Sequence, residues 1–102
     1  MAIIYHITTV AEWRMAQQKG VYEAASLPVE GFIHLSKAEQ VAGVLERYYK
    51  GQSGLVKLSV DTEKLKAGLR YELAPSVNEA FPHLYGPLNL DAVITVTELQ
   101  VP

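Results

Sequence analysis

Leu55–Val56–Lys57–Leu58–Ser59–Val60 sets Val56, Leu58 and Val60 against Lys57 and Ser59. Leu69–Arg70–Tyr71–Glu72–Leu73 sets Leu69, Tyr71 and Leu73 against Arg70 and Glu72. A period of two is the mark of a strand with one face buried. Between them, Asp61 to Lys66 predicts one short helical turn capped by Asp61. Asp91 to Val101 is the last predicted strand, and its mixed phase implies burial on both faces or a bulge.

The first half reads differently. Ile3–Ile4–Tyr5–His6–Ile7 predicts a buried strand, being short, β-branched and aromatic. Thr9-x-x-Glu12 has capping-box spacing and opens a helix with Val10, Trp13 and Ala16 as its apolar stripe, stopped by Gly20. Residues 21–27 are ambiguous, and Leu27–Pro28–Val29–Glu30–Gly31 reads as a turn. Phe32–Ile33–His34–Leu35 predicts a second buried strand. Ser36-x-x-Glu39 predicts another capping box, opening a helix with the stripe Val41, Val44, Leu45 and Tyr48 that ends at Gly51. Helices early and strands late predict an α+β fold with a mixed or antiparallel sheet and two main helices, not a doubly wound parallel one.

The chain of 102 residues is expected to form a single domain, residues 1–102, with one modest core. Apolar residues make up 49% and charged residues 20%, too apolar for a disordered chain. A net charge of −2 argues against bulk nucleic-acid binding. The absence of cysteine excludes disulfides, thiolate nucleophiles and zinc ribbons. No apolar run reaches membrane-spanning length, and the start lacks the charged and apolar regions of a signal peptide. These features predict a cytoplasmic protein; they leave the oligomeric state open.

Chemistry centres on His6, His34 and His83, each flanked on both sides by apolar residues. A histidine beside a core strand either bonds a backbone carbonyl or serves a site. No two share a local metal-ligand spacing, so no metal ligand is assigned. Phe81–Pro82–His83–Leu84–Tyr85–Gly86–Pro87 predicts a stiff segment that holds His83 and Tyr85 in fixed directions, or a rigid crossover before the last strand. Ser36 reads as a helix cap before it reads as a nucleophile. Arg70 and Glu72 share a strand face and could meet a phosphate and a sugar. Tyr48 and Tyr49 read as core. No glycine-rich phosphate loop is present.

Tyr5–His6–Ile7–Thr8, Gly31–Phe32–Ile33–His34–Leu35–Ser36, Tyr71–Glu72 and Phe81–Pro82–His83–Leu84–Tyr85–Gly86–Pro87–Leu88 together resemble a family of small, mostly bacterial proteins, domain-of-unknown-function family 952. That family is similar in fold to the ADP-ribosyltransferases, nearest the RNA 2′-phosphotransferase branch. The resemblance implies a split sheet and NAD or ADP-ribose as a substrate-like ligand; no cofactor is assigned, NAD entering only as a substrate. It implies that His6 contacts a ribose and that His34 lies against the nicotinamide side. Glu72 or His83 would polarise the ribose 2′-hydroxyl. Beside that carry-over, Phe32, Ser36, Arg70 and Tyr85 are read as the binding residues, with Tyr85 or Phe32 stacking on the base.

Three readings follow. The protein is an enzyme of ADP-ribose transfer or hydrolysis, or one acting on a phosphorylated ribose; or a non-catalytic nucleotide-binding module; or a structural protein whose histidines merely satisfy core hydrogen bonds. The first two require the imidazoles to face one hollow.

Overall fold

The computed structural model describes residues 2–100. In chain order the elements are β1 (Ile3–Thr9), α1 (Val10–Lys19), β2 (Val21–Tyr22), α2 (Ser26–Glu30), β3 (Ile33–His34), a 3-10 turn (Ala38–Gln40) and α3 (Val41–Tyr48). There follow β4 (Leu55–Asp61), a 3-10 turn (Thr62–Lys64), β5 (Gly68–Ala74), β6 (Glu79–Tyr85), β7 (Leu88–Asn89), a 3-10 turn (Leu90–Ala92) and β8 (Val93–Glu98). The chain is α+β. The strands lie in the orders β1-β4-β8, β2-β7 and β3-β6-β5, with every strand pairing among the described residues antiparallel.

The β1 and β6 sheets meet at one stitch. Tyr5 N–H donates to Ser36 O at 2.8 Å, and Ser36 N–H donates to Tyr5 O at 2.7 Å. This pair joins the middle of β1 to the chain leaving β3. The core spans both sheets: Ile4, Leu58 and Val60 come from one, Ile33 and Leu84 from the other, and Leu35 and Leu88 close the gap. As the alternation of β4 requires, Val56, Leu58 and Val60 are buried while Lys57 and Ser59 are half-exposed.

Helix α1 begins where expected. The Glu12 N–H donates to Thr9 Oγ1 at 3.1 Å. The reciprocal half of the box differs from expectation, because the Glu12 carboxylate accepts from the hydroxyls of Thr8 and Thr9 instead of from a backbone N–H. Gly20 closes the helix at φ +92°, its N–H donating to Ala16 O. Ala16 is buried, and Val10 and Trp13 pack on the core. Asp61 caps the turn after β4 as predicted, accepting from Glu63 N–H at 2.9 Å.

Several expectations are corrected. Residues 27–31, read as a turn, carry most of α2, which tolerates Pro28 near its start and ends at Gly31. Ser36 does not cap a helix. The Lys37 N–H is satisfied instead by the Gln40 side chain at 2.9 Å, and a 3-10 turn precedes α3. No residue of α3 is buried, and Tyr48, read as core, is 63% exposed.

The Phe81–Pro87 segment is not a crossover: most of it is β6, the centre of its sheet. Pro82 sits in that central strand because its missing N–H faces β3, which ends there. Leu35 N–H donates to Pro82 O at 2.9 Å, and the return bond cannot form, so β3 is only two residues long. Gly86 holds φ +154°, and a Cβ there would lie 2.8 Å from the Cβ of Ala67. At the last strand the bulge reading is right: the β4–β8 register shifts at Ser59/Val60. Burial on both faces is not found, since residues 94–98 are exposed on an edge strand. Val101 lies outside the described residues.

Candidate functional site

His34 and His83 lie directly opposite each other in the β3–β6 ladder. They form a pair without mutual backbone bonds, the geometry in which facing side chains come closest. Their ring centroids are 5.1 Å apart, edge to face. Phe32 stacks on His83 at 4.2 Å with an 18° tilt and meets His34 edge-on at 4.9 Å. Register places Glu72 opposite Phe81 and Arg70 opposite His83, so all four share this sheet face.

His83 is oriented by a carboxylate. Its Nδ1–H donates to Glu72 Oε1 at 2.8 Å, and the Tyr85 hydroxyl donates to the same oxygen at 2.5 Å. These two bonds, Tyr85's first and then His83's, hold the Glu72 carboxyl below the usual carboxylate range. The same bond pushes the Tyr85 phenol up. Arg70 lies 5.0 Å from the Tyr85 ring centroid. With Nδ1 committed, His83 Nε2 makes no bond to the described residues. His34 Nε2–H donates to Glu30 Oε1 at 2.9 Å, across one turn of chain from α2.

His6 enters from β1. Its Nδ1–H donates to His34 O at 2.6 Å, which fixes the tautomer, and Nε2 lies 2.7 Å from the Tyr22 hydroxyl. Burial is the main reason its pKa falls from 6.5 to about 4, with the His34 carbonyl and Glu12 opposing. His6 is therefore neutral near pH 7, and its Nε2 faces the Tyr22 hydroxyl, which itself donates to Thr8 Oγ1 at 3.1 Å. Burial likewise pushes the Tyr22 phenol up to about 12.

One cavity of about 550 Å³ joins these groups. His6, His34 and His83 all line it, as does Ser36, whose hydroxyl bonds no described residue. Ligand pockets of small molecules typically enclose about 300–1,000 Å³. Glu72, Arg70, Phe32 and Tyr85 do not line it; they surround His83 from outside. Other walls come from residues that the sequence reading did not place in the site: Glu12 and Tyr22, Tyr48 and Tyr49, and Phe81. For Tyr48 and Tyr49 the helical stripe pointed to the core and not to a cavity wall. Glu12 gave no cue, since its capping spacing explained it fully. Among the described residues, no three of His, Cys, Asp or Glu are grouped to hold a metal.

A family described as protein of unknown function (DUF952) matches residues 7–96. The chain belongs to the DUF952 family. His34 and His83 lie inside the matched span and His6 stands one residue before it. The crystal structure of CC0527 from Caulobacter crescentus is similar to this DUF952 chain at 37% identity and a TM-score of 0.88, covering 96% of this chain and 86% of that one. The solution structure of CC0527 gives 38% identity and a TM-score of 0.83, covering 98% and 86%. No curated protein matches. No helix among the described residues is long and apolar enough to cross a membrane.

Proposed function

We propose that the cavity binds NAD or an ADP-ribose-like nucleotide, in a cleft of the ADP-ribosyltransferase kind between two split sheets, and cleaves the bond between nicotinamide and ribose. One observation carries this reading: three histidines from β1, β3 and β6 line a single cavity beside the stitch where those sheets meet. Of Glu72 and His83, the one that faces the ligand is His83, as general base rather than as the group on the 2′-hydroxyl, because Glu72 does not line the cavity and instead orients the ring.

The chemistry follows from the free atoms. The carbon–nitrogen bond breaks with its electron pair leaving on nicotinamide, and positive charge develops on the ribose. Water or an acceptor hydroxyl bonds to the anomeric carbon and gives its proton to His83 Nε2. Glu72 stabilises the resulting imidazolium through Nδ1–H. Ser36 offers an unshared hydroxyl to the ribose. His6 contributes shape and a fixed neutral edge, since both its nitrogens are occupied.

A second reading, binding without turnover, is favoured by one fact. Among the described residues Glu12 is the only carboxylate lining the cavity, and it belongs to α1, not to the β5–β6 motif. Titration calorimetry with NAD and ADP-ribose, followed by a nicotinamide-release assay, separates the readings. Turnover that falls by roughly 10²-fold or more in His83→Ala supports the enzyme. Binding without nicotinamide release supports the module. Failure of both ligands to bind removes the proposal.

A further inference from the structure

The side chains lining the cavity carry very little fixed charge. Among the described residues that line it there is no lysine or arginine, and Glu12 is the one carboxylate. Arg47 lies 5.7 Å from the centroid of a lining ring, Tyr48, but does not itself line the cavity. His6 is held neutral by burial.

Glu12 is not loose. Its Oε1 accepts from the hydroxyls of Thr8 and Thr9, each at 3.2 Å, and its own N–H is tied to Thr9. The first turn of α1 thus fixes the carboxylate, while Oε2 bonds no described residue. Its field reaches inward, since it perturbs His6, Tyr22 and Tyr49. The rings of Tyr48, Tyr49 and Phe81 add faces with negative quadrupoles. A phosphate placed among these groups would lose water and meet no cation; a flat cation would meet both a carboxylate and aromatic faces.

We propose that the cavity selects a cationic aromatic ring, and that Glu12 is the residue that reads its charge. This rests on the function proposed above and narrows it: the pyridinium–ribose end of the dinucleotide occupies the cavity, and its phosphates stay outside. Glu12 is a specificity residue with no part in the proton transfer.

The test uses three probes on the full chain, followed by amide NMR shifts and calorimetry. The first is nicotinamide methylated on its ring nitrogen, a cation. The second is meta-toluamide, an uncharged ring of the same shape. The third is inorganic pyrophosphate. The cation is expected to bind about tenfold more tightly than meta-toluamide, the scale of one charge-assisted contact. Glu12→Gln, which keeps the shape and an oxygen to accept from the Thr8 and Thr9 hydroxyls, is expected to abolish that preference. Equal affinities in the wild type, an unchanged preference in Glu12→Gln, failure of both rings to bind, or pyrophosphate shifts at His34 and Ser36 would each overturn the inference. Cation preference without NAD binding leaves this inference standing and removes the proposed function; NAD turnover without cation preference does the reverse.

Discussion

Acidification from about pH 7 to about pH 4 should destabilise this fold through one side chain, His6, by about 3 kcal/mol. The residue is 7% exposed, and both ring nitrogens lie within hydrogen-bond distance of protein groups, the His34 carbonyl and the Tyr22 hydroxyl. Its folded pKa is depressed, from 6.5 to about 4. Above pH 6.5 the ring is neutral in both states and nothing is lost. Between 6.5 and about 4 the unfolded chain takes up a proton that the folded chain refuses. Each pH unit in that window removes about 1.4 kcal/mol. Below about 4 the folded ring also protonates and the loss levels off. Domains of this size have a total stability of about 5–15 kcal/mol, so the effect is large. Urea unfolding at a series of pH values reads it as a fall in midpoint of roughly 1–3 M across the window. His6→Gln should be less stable at neutral pH but nearly flat over the same range. Glu72 and Asp91, whose carboxyls are held below their ordinary 4.5 and 3.8, contribute stability that is lost as pH falls below those values. Parallel pH profiles for wild type and variant, or a His6 ring resonance titrating near 6.5, would refute the reasoning.

Gly86→Ala should destabilise by about 1–3 kcal/mol, from overpacking against Ala67 and a backbone angle that side chains rarely adopt; calorimetric melting reads it, and Ala67→Gly in the same chain should restore part of the loss. Thr9→Ala should cost about 1 kcal/mol by removing the cap of α1, measured as a shift in denaturant midpoint at constant slope. Leu58→Ala, at a fully buried position, should cost about 2–5 kcal/mol; a smaller loss would show that the two sheets close around the vacancy. In Glu72→Gln the Tyr85 phenol should fall back toward its ordinary 10.0, because its raised value comes first from the bond to that carboxylate; ultraviolet titration of tyrosinate detects the change.

Local chemistry carried the reading of α1, β4 and the Asp61 turn, where a hydroxyl or carboxylate cap and a period of two act within a few residues. It failed where a distant partner decides. Pro82 looks like a strand breaker until β3 is seen to end beside it, leaving no N–H wanted. Ser36 looks like a cap until β1 claims its backbone and Gln40 replaces its side chain. Tyr48 follows a helical stripe, but α3 covers a hollow and not the core, so periodicity alone placed it inside.

What residue order determined by itself is the α+β class, the family, and the set of histidines held among apolar neighbours, because strand period, capping and motif spacing are properties of short stretches. Tertiary structure alone decided how those histidines divide their work. His6 is locked by a carbonyl and a phenol, His83 is aimed by Glu72, and Glu12 is turned from a helix cap into a charge at the cavity. The physical reason is that hydrogen bonds and burial, which set proton positions, come from residues 11 to 28 positions away or more across the sheets.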